Sequence, residues 1–411
     1  MHSLLRFGIL FLIFFLPTQL GTFFFIPESY ISGIRIDYLA PTVYFTDLII
    51  VSAIIIFLIS IIRSNKHIVL TKKCVELFKN KVTIFIFILI VLNIFFSLEL
   101  VISLYRYSKL LEIVFVYFVV RHTKILSKHI LWTLVLSTFL QLLLVALQIV
   151  SRGSIQGIWY LLGERSFSLS TPGIAKISLQ GIELMRGYGT FSHPNSLAGF
   201  YLLLYGFVSF YQPFDKFQLL RKMFLTIAIV LILFSFSKIA ILGLFGILIY
   251  SSFKNKTNCV ICRTSQLILP IVLGVVFLSG VGDPESLDKR LWLTASSLQI
   301  IKDHLLSGVG LGNYLVAQST FSIPYPYFFL QPVHTIFLLS IAEFGIPLLV
   351  LIMYLLKNMI QVIWKSPAGK AVIITVVFTG LFDHYWLTLQ QNILLIPVVF
   401  GLLLRYKSVV K

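Results

Sequence analysis

Long apolar segments recur along this chain of 411 residues, and they limit its possible folds more than any other feature. About 20 apolar residues form a helix long enough to cross the hydrocarbon core of a bilayer. Clear segments of this kind lie at 4–26, 44–62, 82–104, 108–120, 130–150, 195–212, 266–280 and 335–356. Two longer stretches, 223–253 and 371–404, are each predicted to be a hairpin of two short helices. The sequence therefore predicts an all-α polytopic membrane protein with about twelve transmembrane helices.

Composition excludes the main soluble classes of protein. Only 12% of the residues are charged and 58% are hydrophobic, whereas a soluble domain carries about 25% charged residues. A cytosolic enzyme, a disordered chain and a disulfide-stapled secreted module are therefore excluded. The net charge of +18 does not indicate nucleic-acid binding, because the basic residues lie at the ends of the apolar segments and not on one face.

The basic residues predict how the spans are oriented, since lysine and arginine concentrate in cytoplasmic loops. In the twelve-span layout, the loops on one side hold two thirds of the 33 basic residues. The same loops hold only two acidic residues, Glu76 and Asp215. We therefore expect both termini in the cytoplasm, and we expect 1–411 to form a single integral membrane domain.

Two outward loops are long, at 151–194 and 281–333, so any aqueous chemistry is expected on the outer face. In the larger loop, apolar residues at spacings of three and four over Leu287–Leu306 predict an amphipathic helix along the membrane surface. The glycine-rich stretch 308–313 is predicted to be a tight turn, because no strand precedes it as a dinucleotide site requires. The aromatic stretch 323–334 is typical of interfacial anchors, with stacking on sugar rings as the alternative.

His334 is predicted at the first turn of a span whose apolar run is Ile336–Leu356. A helix N-terminus attracts anions and disfavours protonation of a nearby imidazole. A neutral histidine there can accept a proton or orient a hydroxyl group; the alternative is an interfacial histidine with no catalytic role. Glu343 lies nine residues further on, half a revolution around a regular helix. We expect Glu343 to face away from His334 and to pair with another buried polar group.

Both predicted hairpins have polar tips that face outward. Lys238 follows Ser235 and Ser237 in the first hairpin, and Asp383 precedes His384 in the second. Interrupted spans with polar residues at the break recur around substrate sites in membrane proteins. The alternatives are that Lys238 only reaches to the interface and that Asp383 and His384 form a structural hydrogen-bonded pair.

The 151–194 loop leads into a His-Pro-Asn sequence that is typical of a helix start. His193 and Asn195 are therefore expected to be cap and turn residues in preference to ligands, while Arg186 is a fixed cation near the outer surface. The basic groups predicted on the outward face favour an anionic substrate: Arg186, Lys238, Arg290 and His334. No metal site or cofactor is predicted, since the Cys-x-x-Cys at 259–262 has no second pair of ligands.

This pattern resembles the bacterial O-antigen ligase and polymerase superfamily, which are membrane glycosyltransferases that use polyprenyl-diphosphate-linked glycans. The resemblance covers most of the chain in layout and is most specific over 180–400. The motifs that carry it are Arg-Gly-Tyr-Gly-Thr-Phe-Ser-His-Pro-Asn at 186–195, Ser-Lys at 237–238, Arg290 followed by Leu-Trp, Ser-Gly-Val-Gly-Leu-Gly-Asn at 307–313, and His334 followed by Glu343-Phe-Gly345. A third arginine of the family corresponds to Lys238 here, which keeps the charge but loses the two-pronged grip of arginine on phosphate.

The resemblance implies a function on the outer face of the bacterial cytoplasmic (inner) membrane, in cell-envelope polysaccharide biosynthesis. Oligosaccharide would pass from a polyprenyl-diphosphate (undecaprenyl diphosphate) donor to a glycan or lipid-glycan acceptor, with inversion and without a metal. His334 would orient or deprotonate the acceptor, and Arg290, Lys238 and Arg186 would stabilise the diphosphate. The supporting candidates are His193, Asn195, Glu343, Asp383 and His384. Polymerase, ligase and protein glycosylation stay open, and a transporter or flippase of lipid-linked sugars is the main alternative.

Overall fold

The computed structural model describes residues 2–63, 81–179, 181–254, 275, 285–325 and 327–409. The predicted span 266–280, apart from Val275, and the cysteine pair at 259–262 lie outside these residues. The described chain is mostly helical, as the sequence predicts. Its helices are α1 His2–Phe15, α2 Phe45–Arg63, α3 Lys81–Phe95, α4 Leu100–His122, α5 Ser127–Ser151, α6 Pro194–Phe210, α7 Gln218–Phe234, α8 Lys238–Lys254, α9 Ser286–Asp303, α10 Tyr314–Gln318, α11 Ile336–Phe344, α12 Ile346–Trp364, α13 Pro367–Gly380, α14 Tyr385–Thr388 and α15 Gln390–Val409.

Short antiparallel hairpins, which the sequence did not predict, lie between some of the helices. In the described part of the chain they pair β1 Gly21–Phe23 with β4 Thr42–Tyr44, β2 Tyr30–Ile31 with β3 Ile34–Arg35, and β5 Lys176–Leu179 with β6 Ile182–Met185. The last hairpin lies in the predicted loop 151–194 and leads directly to Arg186. It therefore positions one of the predicted site residues.

The chain forms two compact units. The first unit comprises Met1–Leu12, Gly21–Thr123 and Leu287–Val362, and the second comprises Ile13–Leu20, Lys124–Ser286 and Ile363–Lys411. The core of the first unit joins the N-terminal hairpins, α4, α9 and the α10–α11 segment through these buried side chains: Ile36, Leu39, Ile102, Ile300, Val309, Tyr314, Val333 and Leu339. In the second unit, α6 is buried along almost its whole length, against α7 and α13 above all.

Two helices within the described ranges, α5 and α12, are long and apolar enough to cross a membrane by length and composition. Several shorter apolar helices accompany them, including α1, α2, α3 and α8. The layout of about twelve spans stays a prediction.

The break within each predicted hairpin is present in the structure. In the first, α7 ends at Phe234 and α8 begins at Lys238, with Phe236 in a left-handed conformation at φ 50°. In the second, residues 381–384 separate α13 from α14.

Three predicted span boundaries are wrong, and each error has a tertiary cause. For the predicted span 4–26, α1 ends at Phe15, because Pro17 follows and the Thr18 hydroxyl donates a hydrogen bond to the carbonyl of Leu162, 2.6 Å away. The predicted span 335–356 is two helices, α11 and α12, separated at Gly345, which has a φ of 72°.

The third error concerns the boundary predicted between 104 and 108. The structure ends α3 at Phe95 and begins α4 at Leu100. The main-chain N–H of Leu98 donates to the carbonyl of Val309 at 3.1 Å, and that of Glu99 donates to Oδ1 of Asn313 at 2.9 Å. Partners more than 200 residues away therefore satisfy the backbone where the helix stops.

Candidate functional site

Arg290 lies on the first turns of α9, beside an aromatic cluster. Trp292 packs against Tyr325 and Phe329 with ring centroids 6.4 and 5.8 Å apart, and Tyr325 stacks on Tyr327 at 5.5 Å. The ammonium of Lys289 lies 5.5 Å from the centroid of the Tyr327 ring. The predicted amphipathic helix is thus confirmed as a helix, and the aromatic loop is anchored to it next to Arg290.

His334 lies two residues before α11, not on its first turn as predicted. Thr335 is the N-cap residue, and the helix begins at Ile336. Val333, directly before His334, is buried in the same core cluster as Ile300 of α9. His334 and Arg290 therefore belong to segments that share one hydrophobic core in the first unit.

Glu343, near the end of α11, pairs with main-chain groups; that it faces away from His334 stays a prediction. The main-chain N–H groups of Gly312 and Tyr314 donate to its carboxylate, and the positive charge of Arg106 acts on it. Arg106 also donates to the carbonyl of Tyr38 at 2.6 Å. This arrangement stabilises the contact between α11 and the glycine-rich turn.

The glycine-rich turn is a tight turn, as predicted, and its glycines are required sterically. Gly308, Gly310 and Gly312 have φ values of 66°, 92° and 83°. A Cβ atom on Gly308 would lie 2.3 Å from the carbonyl oxygen of Glu343, and one on Gly310 would lie 2.3 Å from Cβ of Ser97. Close backbone approach and positive φ together leave glycine as the residue that fits.

In the second unit, three of the predicted residues form one hydrogen-bonded chain. Arg186 donates from Nε to the carbonyl of Ser235 at 2.7 Å and from Nη2 to Oδ1 of Asn195 at 2.6 Å. Asn195 donates in turn from Nδ2 to Oδ2 of Asp383 at 2.9 Å. The structure thus joins the 186–195 motif, the first helix break and the second helix break, which the sequence had predicted separately.

The neighbouring histidines have structural contacts. His193 is the N-cap of α6, and its Nδ1 accepts the N–H of Asn195 at 3.1 Å. The N–H of His384 donates to Oδ1 of Asp383 at 2.8 Å, and Nδ1 of His384 lies 2.8 Å from the Thr388 hydroxyl. His193 therefore has the cap role expected for it, whereas Asn195 lies within α6 and its side chain bridges Arg186 and Asp383.

Lys238 is the first residue of α8, and its side chain is exposed. The hydroxyl of Ser235 accepts the N–H of Ser237 at 3.1 Å and thereby organises the break before Lys238. The carbonyl of the same Ser235 accepts from Arg186. Lys238 and Arg186 are therefore associated with the same helix break.

Side-chain amides hold the segment between Arg186 and α6. Gln148, fully buried, donates to the carbonyl of Gly189 at 2.9 Å and accepts its N–H at 2.8 Å. Gln141 donates to the Thr190 hydroxyl at 2.9 Å. Burial raises the pKa of Tyr188, whose hydroxyl accepts the N–H of Ala175 at 2.6 Å. The segment that carries Arg186 is therefore tied down on several sides.

A charged cluster in the first unit was not predicted from the sequence. Lys109 of α4 is buried and forms ion pairs with Asp47 of α2 and with Glu112. The signal was available, because Asp47 interrupts the apolar segment 44–62, and Lys109 and Glu112 share a helix face at a spacing of three. Ionisable residues in apolar helices indicate a functional or paired role.

No group of three or more His, Cys, Asp or Glu side chains that could hold a metal ion occurs in the part of the chain that the structure describes. No protein-family model matches this chain, and no curated protein matches it.

Proposed function

We propose that the protein transfers or polymerises oligosaccharide from a polyprenyl-diphosphate donor onto a glycan or lipid-glycan acceptor. The reaction takes place on the outer face of the bacterial cytoplasmic membrane, in which the chain is a multi-pass protein. The main support for the proposal is that Arg290 and His334 belong to the same compact unit, on segments that share one hydrophobic core. A cation for the leaving diphosphate and a base for the acceptor are the two groups that this reaction needs.

Each step in the proposed reaction has a residue. The acceptor hydroxyl attacks the anomeric carbon, and the bond from that carbon to the diphosphate oxygen breaks with inversion. His334 orients the hydroxyl or takes its proton, and Arg290 stabilises the charge that develops on the lipid diphosphate. Lys238 and Arg186, in the second unit, are the further candidates for diphosphate contacts.

The local surroundings of Arg290 support this role. Lys289, which precedes Arg290 in the chain, holds its ammonium 5.5 Å from the ring of Tyr327, and this ring is 44% exposed. Exposed aromatic rings beside a cation suit a ligand that combines sugar rings with phosphate. The interfacial anchoring of the same rings is compatible with this role, since the donor is itself a membrane lipid.

His334→Ala and Arg290→Ala test the proposal in cells whose surface glycan can be followed. Loss of one charge stabiliser of this kind costs about 10²–10³ in rate, so the long glycan chains are expected to disappear at normal protein levels. The matched controls are His304→Ala and Lys302→Ala, which change a histidine and a cation at the other end of α9. Normal glycan in the His334 and Arg290 variants would refute the catalytic assignment.

Reconstitution gives the direct measurement. Purified protein with a lipid-diphosphate oligosaccharide is expected to release polyprenyl diphosphate as the glycan is transferred, also in the presence of a chelator. An Arg290→Lys variant keeps the charge but loses the bidentate grip on phosphate, so it is expected to retain part of the activity that Arg290→Ala loses.

A transporter or flippase of lipid-linked sugars is the second candidate, and one observation favours it. The ion pair of Lys109 with Asp47 is buried between helices, and buried ionisable groups in membrane segments are typical of ion pathways. A flippase would move lipid-linked sugar across vesicles without forming glycosidic bonds. Transport that survives His334→Ala but fails in Lys109→Gln would favour this function over glycan transfer.

A further inference from the structure

The Asp47–Lys109–Glu112 cluster lies in the first unit and takes no part in the proposed reaction. The Lys109 side chain is 10% exposed; its ammonium contacts the carboxylate of Asp47 and lies 3.6 Å from Oε2 of Glu112. The rings of Tyr44 and Tyr105 lie 5.4 and 5.6 Å from the same ammonium. One buried cation thus faces two carboxyl groups and two aromatic rings.

Asp47 is placed to carry the negative charge of the pair. It lies in the first turn of α2, where the helix dipole favours an anion. Its Oδ2 also accepts the main-chain N–H of Tyr44 at 2.8 Å. Two donors, the ammonium of Lys109 and this N–H, therefore contact Oδ2 of Asp47.

Glu112 is placed differently. Its carboxyl lies beside both that of Asp47 and the ammonium of Lys109, which is 3.6 Å from Oε2, and among the described residues no donor lies within ordinary hydrogen-bond distance of this buried atom. An ionised carboxylate only accepts hydrogen bonds. Two carboxyl groups in such contact therefore need a proton between them, as in pairs of carboxylates that share one site.

The net charge of the cluster also indicates that one proton is shared by Asp47 and Glu112. With both carboxyls ionised, the cluster would hold one uncompensated negative charge among apolar helices, which is costly in a buried place. We infer that Asp47 and Glu112 bind one proton between them, so that the cluster as a whole is neutral. Among the described residues, the charged and titratable groups around this proton are Lys109, Glu112 and Arg106 of α4, Asp47 of α2, and the phenols of Tyr44 and Tyr105. Arg106 lies against the Tyr105 ring and donates to the carbonyl of Tyr38.

This proton-binding site is independent of the glycan-transfer proposal, since it uses none of the residues assigned to that reaction. It also makes a directional prediction. An ordinary glutamate in the unfolded chain has a pKa of about 4.3. Above this pH, the folded protein therefore holds one more proton than the unfolded chain. The equilibrium constant for unfolding is then expected to rise about tenfold per pH unit from this site, until the folded protein releases the proton.

Infrared spectroscopy of the full chain in lipid nanodiscs detects the proton directly. The wild type is expected to show the C=O stretch of a protonated carboxyl group at neutral pH, and Glu112→Gln is expected to lose it. Asp47→Asn should lose it too, because Glu112 then pairs alone with the ammonium and is ionised. The control, Glu183→Gln, alters an exposed glutamate that pairs with Lys176 and should leave the band unchanged.

The pH dependence of unfolding gives the second readout. Glu112→Gln preserves the hydrogen bond to Asp47 without a titratable proton, so the tenfold dependence per pH unit should vanish relative to the wild type. The inference would be overturned if the unfolding constants of the wild type and Glu112→Gln changed with pH in the same way. It would also be overturned if the wild-type spectrum had no carboxyl band that both Glu112→Gln and Asp47→Asn remove. If Glu112→Gln does not fold, the Asp47→Asn spectrum decides alone.

Discussion

Glu343 in the first unit and Arg186 in the second are both charged residues among mostly apolar helices, but the chain accommodates them in different ways. Glu343 accepts main-chain N–H groups that a glycine-rich turn presents to it. Arg186 donates to a carbonyl at a helix break and, through Asn195, connects to Asp383. The carboxyl group of Glu343 is held by main-chain groups, whereas the guanidinium of Arg186 is held by a chain of hydrogen bonds that includes side chains.

The difference determines which changes each region tolerates. Main-chain donors come close to a carboxylate only if the turn has room, so the first region should be sensitive to added volume. The second region should be sensitive to the loss of a donor or acceptor, since removing one link takes a hydrogen-bond partner from the polar group on each side of it. The following variants test this contrast, beginning with the largest expected effect.

Gly308→Ala should have the largest effect. The new Cβ would lie 2.3 Å from the carbonyl oxygen of Glu343, and the φ of 66° is unfavourable for alanine. Overpacking and left-handed strain together are expected to lower the free energy of unfolding by about 3–5 kcal/mol. Gly33→Ala is the matched control: it has a φ of 76° but open space around it, so denaturant unfolding should show only about 1–2 kcal/mol of strain.

Asn195→Leu should rank second, because it keeps the volume and removes the link between Arg186 and Asp383. Both charged groups then lose a partner, which is expected to cost about 3 kcal/mol in the same unfolding measurement. Asn358→Leu, at an exposed position on α12, should change stability by less than about 0.5 kcal/mol. Equal stability of the two leucine variants would contradict the proposed chain of hydrogen bonds.

Arg186→Lys sharpens the comparison further. A single ammonium cannot reproduce the two bonds that Arg186 makes from Nε and Nη2, to Ser235 and Asn195, so stability should fall by about 1–2 kcal/mol. If Arg186 also contacts the diphosphate, the rate of glycan transfer should fall by more than the loss of folded protein explains. Proportional losses of activity and folded protein would leave Arg186 with a structural role alone.

Glu343→Gln should have the smallest effect. Its amide oxygen still accepts N–H groups of Gly312 and Tyr314, and the lost attraction to Arg106 is offset because no charge is buried any longer. A change of about 1 kcal/mol or less is therefore expected from unfolding experiments. A loss as large as that of Gly308→Ala would mean that the charge of Glu343, and not the backbone geometry, stabilises the turn.

Much of the fold was accessible from the sequence because its signals are local. The amphipathic pattern of α9, the tight glycine turn at 308–313 and the breaks near Lys238 and Asp383 all appear in the structure. The missed elements were the short hairpins, such as β5 and β6, which lie in a stretch that apolar periodicity does not mark. The candidate site was predicted as separate motifs; that Arg186, Asn195 and Asp383 are bonded to one another was not.

The Asp47–Lys109–Glu112 cluster shows a different kind of omission. Each residue was visible as a charge within an apolar segment, but Asp47 and Lys109 are separated by 62 positions in the chain. A pairing over that separation is decided by how α2 and α4 pack. Sequence spacing relates only Lys109 to Glu112, which lie three residues apart on one helix.

The apolar runs by themselves determined that the chain is helical and where most of its helices lie, because a run of apolar side chains long enough for a helix can be read directly along the chain. The tertiary structure alone decided where those helices stop and which polar groups meet. A backbone can leave the helical conformation inside an apolar environment only where distant groups satisfy its N–H and C=O groups. Asn313 does so for Glu99, and Ser235 provides the carbonyl that Arg186 binds.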